Sequence, residues 1–317
     1  MNKNKNSRLV AYIGIIVVVV IWGLIPSAKK ALIGDSFSAS VYSAITTFSA
    51  ACGLLVISYK ELKKLDKSYF KVAIPTGACV GVAALAQALA YNFEASPTNQ
   101  AFLENLSCVV VPIILFILAK KRQSVFSIMA TVLCLVSSAV LAGVSETGLN
   151  FRTADILNAV AGVFYGINIA LTGIYAKKYV ASLYVMIQLF VQAAFSLILA
   201  VVFNFLSIGG ELVDPFVFTP DPLLILAVVV IGVLSNAVCW TVRTVAMKHV
   251  SANVVAVIMP FSAVVTGIFS VVIGQDEPTS TLLIGAIIGL AAGLLSAIGD
   301  NMDKKAEESK SIANQDG

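Results

Sequence analysis

The chain has 317 residues, of which 59% are hydrophobic and 12% charged, and its mean hydropathy is +0.94. A soluble domain carries about 25% charged residues, so this composition excludes an ordinary soluble protein. The formal net charge of +4 does not indicate nucleic-acid binding, because the basic residues stand in short segments between hydrophobic runs.

Ten hydrophobic runs follow one another along the chain, each long enough to cross a bilayer core of about 30 Å as a helix. They are too long for barrel strands and lack strict alternation, so an all-α integral membrane protein is predicted. The first run is too long for an ordinary signal-peptide core, and we predict that it is retained as a helix. The predicted spans are 9–28, 38–59, 72–92, 98–119, 125–144, 154–176, 183–206, 223–243, 251–273 and 280–299.

The distribution of lysine and arginine predicts the orientation of these spans. With the N-terminus in the cytoplasm, the inside segments hold 18 of the 21 basic residues, and the outside segments hold Lys29, Lys30 and Arg152. A missed or extra helix would invert every later loop. We therefore predict an even number of helices with both termini cytoplasmic, in the plasma membrane. Residues 1–8 would be the cytoplasmic N-terminus, and the polar residues 300–317 a disordered cytoplasmic tail.

The longest predicted outside segment, 207–222, has an acidic character. It carries Glu211, Asp214 and Asp221 and no basic residue. Two interpretations stay open for it: a solvated connector between spans, or a vestibule that attracts cations.

The chain contains an internal similarity between its two halves. A shift of 155 residues aligns 96–142 with 251–297, and eight positions are identical, among them Ser107/Ser262 and Val110/Val265. In the first spans of the halves, Trp22-Gly23 corresponds to Tyr165-Gly166. Five helices are an odd number, so the second half would enter the membrane from the opposite side. We predict two inverted five-helix repeats, 9–144 and 154–299, which give alternating access around a midplane site.

Several short motifs occur in the order and spacing of a known family. They are Trp22-Gly23, Ala88-Leu89-Ala90-Tyr91 through Ala95-Ser96, Val111-Pro112, Val250-Ser251-Ala252, Pro260, and Gly274-Gln275-Asp276-Glu277-Pro278. On these motifs the sequence resembles the EamA type of the drug/metabolite transporter superfamily over about residues 9–299. Pro260 lies earlier than the proline of the matching first-half helix, and Lys120-Lys121-Arg122 replaces an acidic ending often seen there. The resemblance implies ten helices, a central cavity lined mainly by helices 1, 3, 4, 6, 8 and 9, and export or uptake of small metabolites.

Glu104 is the main candidate for a substrate- or proton-binding residue. It stands among apolar residues in the fourth span, where a carboxylate costs about 2.5–3.5 kcal/mol on insertion scales. Such a group is retained where it faces partners or a wet cavity. It would couple transport to protons or bind a substrate amine; the alternative is a neutral or paired carboxyl that locks helix packing. Gln100, one turn earlier, would line the same surface.

Other polar and aromatic side chains in the spans are weaker candidates for the same site. Asn158, Tyr165, Asn168 and Thr172 share one face of the sixth span, which fits either interhelical hydrogen bonds or a substrate-facing stripe. Trp22 would stack on a ligand or anchor the membrane interface. Further candidates are Gln87 and Tyr91 in the third span and Asn236 in the eighth.

Three further features favour structural roles. Gln188 and Gln192 in the seventh span favour helix–helix contact, and Arg243 favours snorkelling to the interface over gating or contact with an anion. Gly285, Gly289 and Gly293 form a face for close packing. Packing within one chain and a homodimer through the fifth and tenth spans fit that face equally well.

These observations predict a secondary transporter of a small organic metabolite, an amino acid or a related compound, either proton-coupled or facilitative. The named candidates are neutral apart from one carboxylate, which favours zwitterions or cations over polyanions. The alternatives are a non-transporting receptor or scaffold and an intramembrane enzyme. The sequence has no Walker loop, no Gly-x-Ser-x-Gly elbow and no zinc helix with two histidines. The five cysteines lie in hydrophobic runs without metal-type spacing, so we predict no cofactor, metal or catalytic site.

Overall fold

The structure is a computed structural model that describes residues 2–32, 36–93, 103–120, 123–141, 153–208, 211–212, 214–219, 221–272 and 280–313. Nearly all of these residues are helical. The helices of the first half are α1 (Asn2–Leu32), α2 (Ala39–Ile57), a 3-10 helix (Tyr59–Lys64), α3 (Lys67–Asn92), α4 (Ser107–Ala119) and α5 (Val125–Leu141).

The second half contains two interrupted helices. Its elements are α6 (Thr153–Tyr175), α7 (Ala181–Phe203), the short strands β1 (Ser207–Ile208) and β2 (Glu211–Leu212), α8, α9 and α10 (Ser280–Ala313). Helix α8 runs over Pro222–Gly232, through a π-helical turn at Val233–Val238, and on as Cys239–Ala246. Helix α9 consists of Ala252–Ile258 and Phe261–Val272 with a turn between them. The two strands pair antiparallel.

The lengths and surfaces of these helices are those of a polytopic membrane protein. Among the described helices, eight are long and apolar enough to cross a membrane, while α4 and α5 are shorter apolar helices. Large apolar side chains point outward along them, for example Ile16, Phe116, Ile117, Val201 and Leu294. An outward apolar surface is stable only in lipid, so the prediction of a helical integral membrane protein is confirmed.

Two predicted boundaries are wrong. The fourth span was expected to be continuous over 98–119, but the chain makes a turn at Asn105 and Leu106, and α4 begins at Ser107. Hydrogen bonds of the i to i−3 type, Leu106 N–H to Leu103 O and Cys108 N–H to Asn105 O, form this turn. At the C-terminus, α10 continues to Ala313, so the residues 300–313 of the expected disordered tail are helical. Alanine, glutamate and lysine in that stretch are strong helix formers, which explains the extension.

One face of the molecule, here called the basic face, collects the starts of the odd-numbered helices. At the start of α1, Arg8 forms an ion pair with Asp300 of α10 (3.1 Å). The other Asp300 oxygen accepts from the backbone N–H of Ser251, just before α9. Asp303, one turn further along α10, accepts from the backbone N–H of Ser124 just before α5 (2.9 Å).

The starts of α3 and α7 join the basic face through a tyrosine pair. Tyr179, just before α7, donates to the carbonyl of Ser68 (3.3 Å), and its own carbonyl accepts from Lys248 Nζ (2.9 Å). Tyr69 Oη accepts from the backbone N–H of Val180 (3.0 Å). Because α6 ends and α7 begins at this face, α1 and α6 run in opposite directions.

The opposite face joins the start of α2 to the segment before α8. The backbone N–H of Ser38 donates to Val217 O (3.0 Å), and Phe37 and Phe218 form an isolated antiparallel bridge. Asp214 is 5% exposed and accepts from the backbone N–H groups of Ala39 and Ser40. Asp214 therefore caps α2. Neither interpretation of the acidic segment, solvated connector or cation vestibule, holds for this residue.

The helices of the two halves pack against each other in reciprocal pairs. Helix α1 packs on α9 and α8, and its counterpart α6 packs on α4 and α3. Helix α7 packs on α2 and α3, and α2 packs on α7 and α8. Helices α5 and α10 pair with each other, and Ser137 of α5 donates to the carbonyl of Gly285 (2.7 Å). In this chain the glycine face of α10 therefore packs within the molecule.

Two glycines lie at close contacts of this reciprocal arrangement. A Cβ built on Gly23 in α1 would lie 2.5 Å from Val265 Cβ and 2.9 Å from Ser262 O in α9. A Cβ built on Gly166 in α6 would lie 2.6 Å from Val110 Cβ in α4, with Ser107 Cα at 3.1 Å. Ser107 and Val110 are the positions that the shift of 155 residues aligns with Ser262 and Val265. The same residue types thus meet a glycine at equivalent places in both halves.

Candidate functional site

A hydrogen-bonded pair, Gln87 and Glu104, lies between α3 and α6. Gln87, near the end of α3, donates through its amide Nε2 to the Glu104 carboxylate. Gly162 of α6 has no Cβ to obstruct the backbone, and the carbonyl of Leu103 packs directly on it. Asn105 donates to Ser138 Oγ of α5 (2.8 Å), which fixes the other side of the turn. The turn before α4 thus places a half-buried carboxyl group against two helices of the bundle.

A second polar group surrounds Arg243 and is here called the Arg243 cluster: Arg243, Trp22, Trp240, Asn168 and Thr76. Arg243 is 2% exposed, although it lies only one turn from the end of α8. Its guanidinium carbon is 4.4 Å from the ring centroid of Trp240 and 5.8 Å from that of Trp22. The two indole rings meet edge to face, with centroids 6.4 Å apart. Both rings therefore offer π electrons to the cation.

Asn168 holds the polar edge of the guanidinium. Arg243 Nη2 donates to Asn168 Oδ1 (2.9 Å), and Asn168 Nδ2 donates to the carbonyl of Thr76 in α3 (3.0 Å). The Thr76 hydroxyl accepts from Tyr184 Oη (2.9 Å) and from Gln188 Nε2 (2.8 Å), both in α7. These bonds orient the Asn168 amide, with its oxygen toward Arg243.

The π-helical turn of α8 fixes Trp22. Trp22 Nε1 donates to the carbonyl of Ser235 within that turn (2.9 Å). A π-turn displaces carbonyl groups from the regular α-helical ladder, and such turns are frequent at functional sites. Asn236, the next residue, is half-buried in the same turn.

The structure brings several of the predicted site residues together, in two groups. Gln87 and Glu104 form one pair, and Trp22 and Asn168 belong to the Arg243 cluster. Tyr165 lies between them on α6 and packs against the apolar cluster formed by Ala83, Ala86 and Ala161. Gln100 and the side chain of Tyr91 lie outside the described residues.

Interhelical hydrogen bonds account for part of the polar stripe on α6. Asn168 bonds to α3 and α8, and the Thr172 hydroxyl lies 3.4 Å from Tyr184 Oη. Gln188 contacts α3, as its predicted helix–helix role requires. Asn158 is fully buried, and neither its amide nitrogen nor its oxygen has a hydrogen-bond partner among the described residues.

The snorkelling interpretation of Arg243 is wrong. Its head group lies inside the bundle because Trp240, one turn earlier on α8, and Trp22 of α1 cover it. Trp240 was not a sequence candidate, yet its spacing of three residues from Arg243 places both on one helix face. That spacing is the feature of the sequence from which contact between Trp240 and Arg243 could have been predicted. The sequence predicts a single charged group, a carboxylate, among the site residues. The interior of the bundle also holds the guanidinium of Arg243.

The Gln87–Glu104 pair and the Arg243 cluster lie on opposite halves of the same two helices. Thr76 and Gln87 are eleven residues apart on α3, which corresponds to about 16 Å along its axis. A carboxyl group thus stands toward one face of the molecule and a guanidinium toward the basic face, with α3 and α6 between them. Within the described residues, no three His, Cys, Asp or Glu side chains are grouped so as to hold a metal ion.

Comparisons with known proteins give one family match and a match in fold. Residues 152–298 match the model of the EamA-like transporter family. A crystal structure whose description names no activity superposes with a TM-score of 0.74 at 14% sequence identity, covering 94% of this chain and 98% of its own. At that identity the likeness shows the fold alone. No curated protein matches the sequence.

Proposed function

We propose that the chain is a multi-pass membrane transporter of small solutes, because residues 152–298 match the model of the EamA-like transporter family. It moves a small organic metabolite, an amino acid or a related compound, across the plasma membrane. Two inverted five-helix halves, 9–144 and 154–299, alternate the access to a site between them. The family match confirms the resemblance carried by the sequence motifs and favours a transporter over an enzyme.

The observation that carries this proposal is the reciprocal glycine packing. Gly23 meets Ser262 and Val265 in the same way as Gly166 meets Ser107 and Val110. A pseudo-two-fold relation between two halves produces such an exchange of equivalent contacts. The opposite directions of α1 and α6 support inverted insertion, which is the architecture of many alternating-access transporters.

The distribution of polar groups supports a path between the halves. The Gln87–Glu104 pair and the Arg243 cluster lie along the same two helices, α3 and α6, one toward each face. Under the shift of 155 residues, Arg243 of α8 corresponds to Ala88 of α3, next to Gln87. The position of Arg243 in α8 is thus nearly equivalent to that of Gln87 in α3. Glu104 is the proposed proton- or amine-binding group, with Gln87, Gln100, Tyr91, Tyr165 and Asn236 along the path.

The basic face is proposed to be cytoplasmic. It gathers Arg8, Lys67 and Lys248 at the ends of α1, α3 and α8, and positive residues are retained on the cytoplasmic side during insertion. The ion pair between Arg8 and Asp300 brings the start of α1 and the end of α10 to this face. Both termini then lie in the cytoplasm.

Transport is tested by a ligand screen followed by flux. A library of metabolites is screened by thermal shift on the purified full-length protein, since a ligand of the folded form raises its stability. Compounds that raise the melting temperature are loaded into proteoliposomes with and without a pH gradient. The expected result is flux of at least one of them; protein that binds such compounds but moves none would refute transport.

Proton coupling is tested with Glu104→Gln, which keeps the size of the side chain and removes its charge. A matched control is Glu61→Gln, since Glu61 stands in the 3-10 helix and pairs with Lys64 (2.5 Å). We expect the Glu104 variant to lose stimulation by the pH gradient while the control retains it. Stimulation equal to that of the unmodified protein in the Glu104 variant would exclude a coupling role.

A further inference from the structure

Arg243 is a buried cation that forms no ion pair with any carboxylate among the described residues. Within the part of the chain that the structure describes, the ion pairs join Arg8 to Asp300 and Lys64 to Glu61, and neither includes Arg243. The guanidinium Nε is buried without a hydrogen-bond partner there. Burial of an unpaired charge is unfavourable, and contact with two indoles and one amide oxygen offsets only part of that cost.

The chemistry around the guanidinium selects a particular kind of anion. A planar guanidinium binds a carboxylate through two parallel N–H···O bonds, and the free Nε is one of the donors of such a fork. The walls are aromatic, and the cluster contains a single cation, so one negative charge balances it. Lys248, the nearest lysine along the chain, donates to the carbonyl of Tyr179 at the basic face. A doubly charged phosphate would lack the second cation it needs.

The site is built to hold this geometry. Asn168, which is fully buried, is oriented by Thr76, and Thr76 is oriented in turn by Tyr184 and Gln188. Trp240 is 5% exposed and packed in the core, so it forms a fixed wall. These contacts hold the guanidinium in its buried position.

Trp22 is the less buried of the two aromatic walls. It is half-buried, and its polar anchor is one hydrogen bond to the π-helical turn of α8. A rearrangement of that turn would release the Trp22 indole from the guanidinium and uncover the site.

We propose that Arg243 and Asn168, between the indoles of Trp22 and Trp240, bind the carboxylate group of the transported substrate. This inference rests on the proposed transport function and adds a recognition group to it. It defines the substrate class as monocarboxylates, including zwitterions, and excludes simple cations that lack a carboxylate.

The chain offers a direct optical test, because Trp22 and Trp240 are its only two tryptophans. Full-length protein in nanodiscs is titrated with a panel of L-amino acids, with the corresponding amino acid amides, and with sodium chloride, while tryptophan fluorescence is recorded. We expect a saturable change with at least one carboxylate and an apparent Kd at least about tenfold weaker for its amide. A response of equal size and affinity to the amide or to chloride would overturn the assignment, as would a folded protein that responds to no member of the panel.

Variants of Arg243 test whether its guanidinium binds the carboxylate. Arg243→Gln is expected to weaken binding of the responding carboxylate at least about tenfold, and Arg243→Lys to weaken it less, because the charge remains while the planar fork is lost. Lys248→Gln is the matched control and should leave the affinity unchanged. If Arg243→Gln fails to fold, the comparison of carboxylate, amide and chloride on the unmodified protein still decides the question. Carboxylate binding without flux would refute transport and keep the site, whereas flux of solutes that lack a carboxylate, unaffected by Arg243→Gln, would refute the site and keep transport.

Discussion

The reciprocal glycine packing leads to a quantitative prediction for three alanine substitutions. Alanine is favoured over glycine by about 1 kcal/mol in a helix interior. In Gly166→Ala and Gly23→Ala this gain is opposed, because the new methyl group would lie 2.6 Å from Val110 Cβ or 2.5 Å from Val265 Cβ. These atoms are attached directly to the backbone and cannot rotate away, so the helices themselves must separate.

The magnitude follows from the balance of these two effects. Overpacking a well-packed interface costs typically about 1–3 kcal/mol, and the directness of both contacts favours the upper end. The net loss is then about 2 kcal/mol for either variant. With an unfolding entropy of about 2.1 cal/mol/K per residue, a chain of 317 residues shifts by roughly 1.5 °C per kcal/mol, so the melting temperature should fall by about 3 °C.

Gly53→Ala supplies the matched control. Its Cβ would lie 3.7 Å from a methyl group of Val233, an ordinary van der Waals distance. That variant should be as stable as the unmodified protein or up to about 1 kcal/mol more stable.

Thermal unfolding is followed with a thiol-reactive dye, since Cys108, Cys134 and Cys239 are free and buried and become reactive when the bundle opens. A Gly166→Ala protein that melts together with Gly53→Ala would refute the close approach of α6 to α4. A normal Gly23→Ala beside a destabilised Gly166→Ala would refute the equivalence of the two contacts.

Three further predictions concern single contacts. Trp22→Phe keeps an aromatic wall but removes the donor to Ser235 O, and it should lower stability by about 1–3 kcal/mol in thermal unfolding because the carbonyl loses its partner; an unchanged melting temperature would contradict that bond. Asp300→Asn breaks the ion pair with Arg8, in which the Asp300 side chain is 1% exposed, so it should lower the melting temperature clearly. Glu61→Gln in the exposed pair with Lys64 should leave the melting temperature unchanged. Equal effects of the two variants would show that burial of Asp300 does not matter. Hydrogen bonds from Ser68 lower the pKa of Asp66, the N-cap of α3. The contribution of Asp66 to stability is therefore present above the unfolded-state pKa of about 3.9 and is lost as pH falls through the lower folded-state value. Asp66→Asn should flatten the acid limb of a plot of melting temperature against pH, and a limb of unchanged steepness would refute the cap.

Hydropathy and charge patterning predicted the membrane character of the chain because both are summed over many residues. Runs of about 20 apolar residues leave few alternatives to spanning helices. The matched identities Ser107/Ser262 and Val110/Val265 also had structural content, since these residues contact Gly166 and Gly23. The ends of elements were less predictable. The break at Asn105 depends on hydrogen bonds to Leu103 and Ser138, and hydropathy does not record them.

The candidate site was predicted in part. Gln87 and Glu104 were each singled out as polar residues in apolar spans, but their direct bond depends on how Gly162 lets the chain approach α6. Arg243 was misinterpreted because a position near a helix end usually permits a long side chain to reach water. Its burial is a tertiary effect produced by Trp22, more than 200 residues earlier in the chain.

The contact between Gly23 and α9 has a consequence for biosynthesis. Thr266 donates to the carbonyl of Gly23 across a sequence separation of 243 residues. At a synthesis rate of about 5–20 residues per second, α1 emerges about 12–50 seconds before its partner exists. During that interval the glycine-bearing side of α1 faces lipid or an insertion factor, and α9, which is made later, then packs against it.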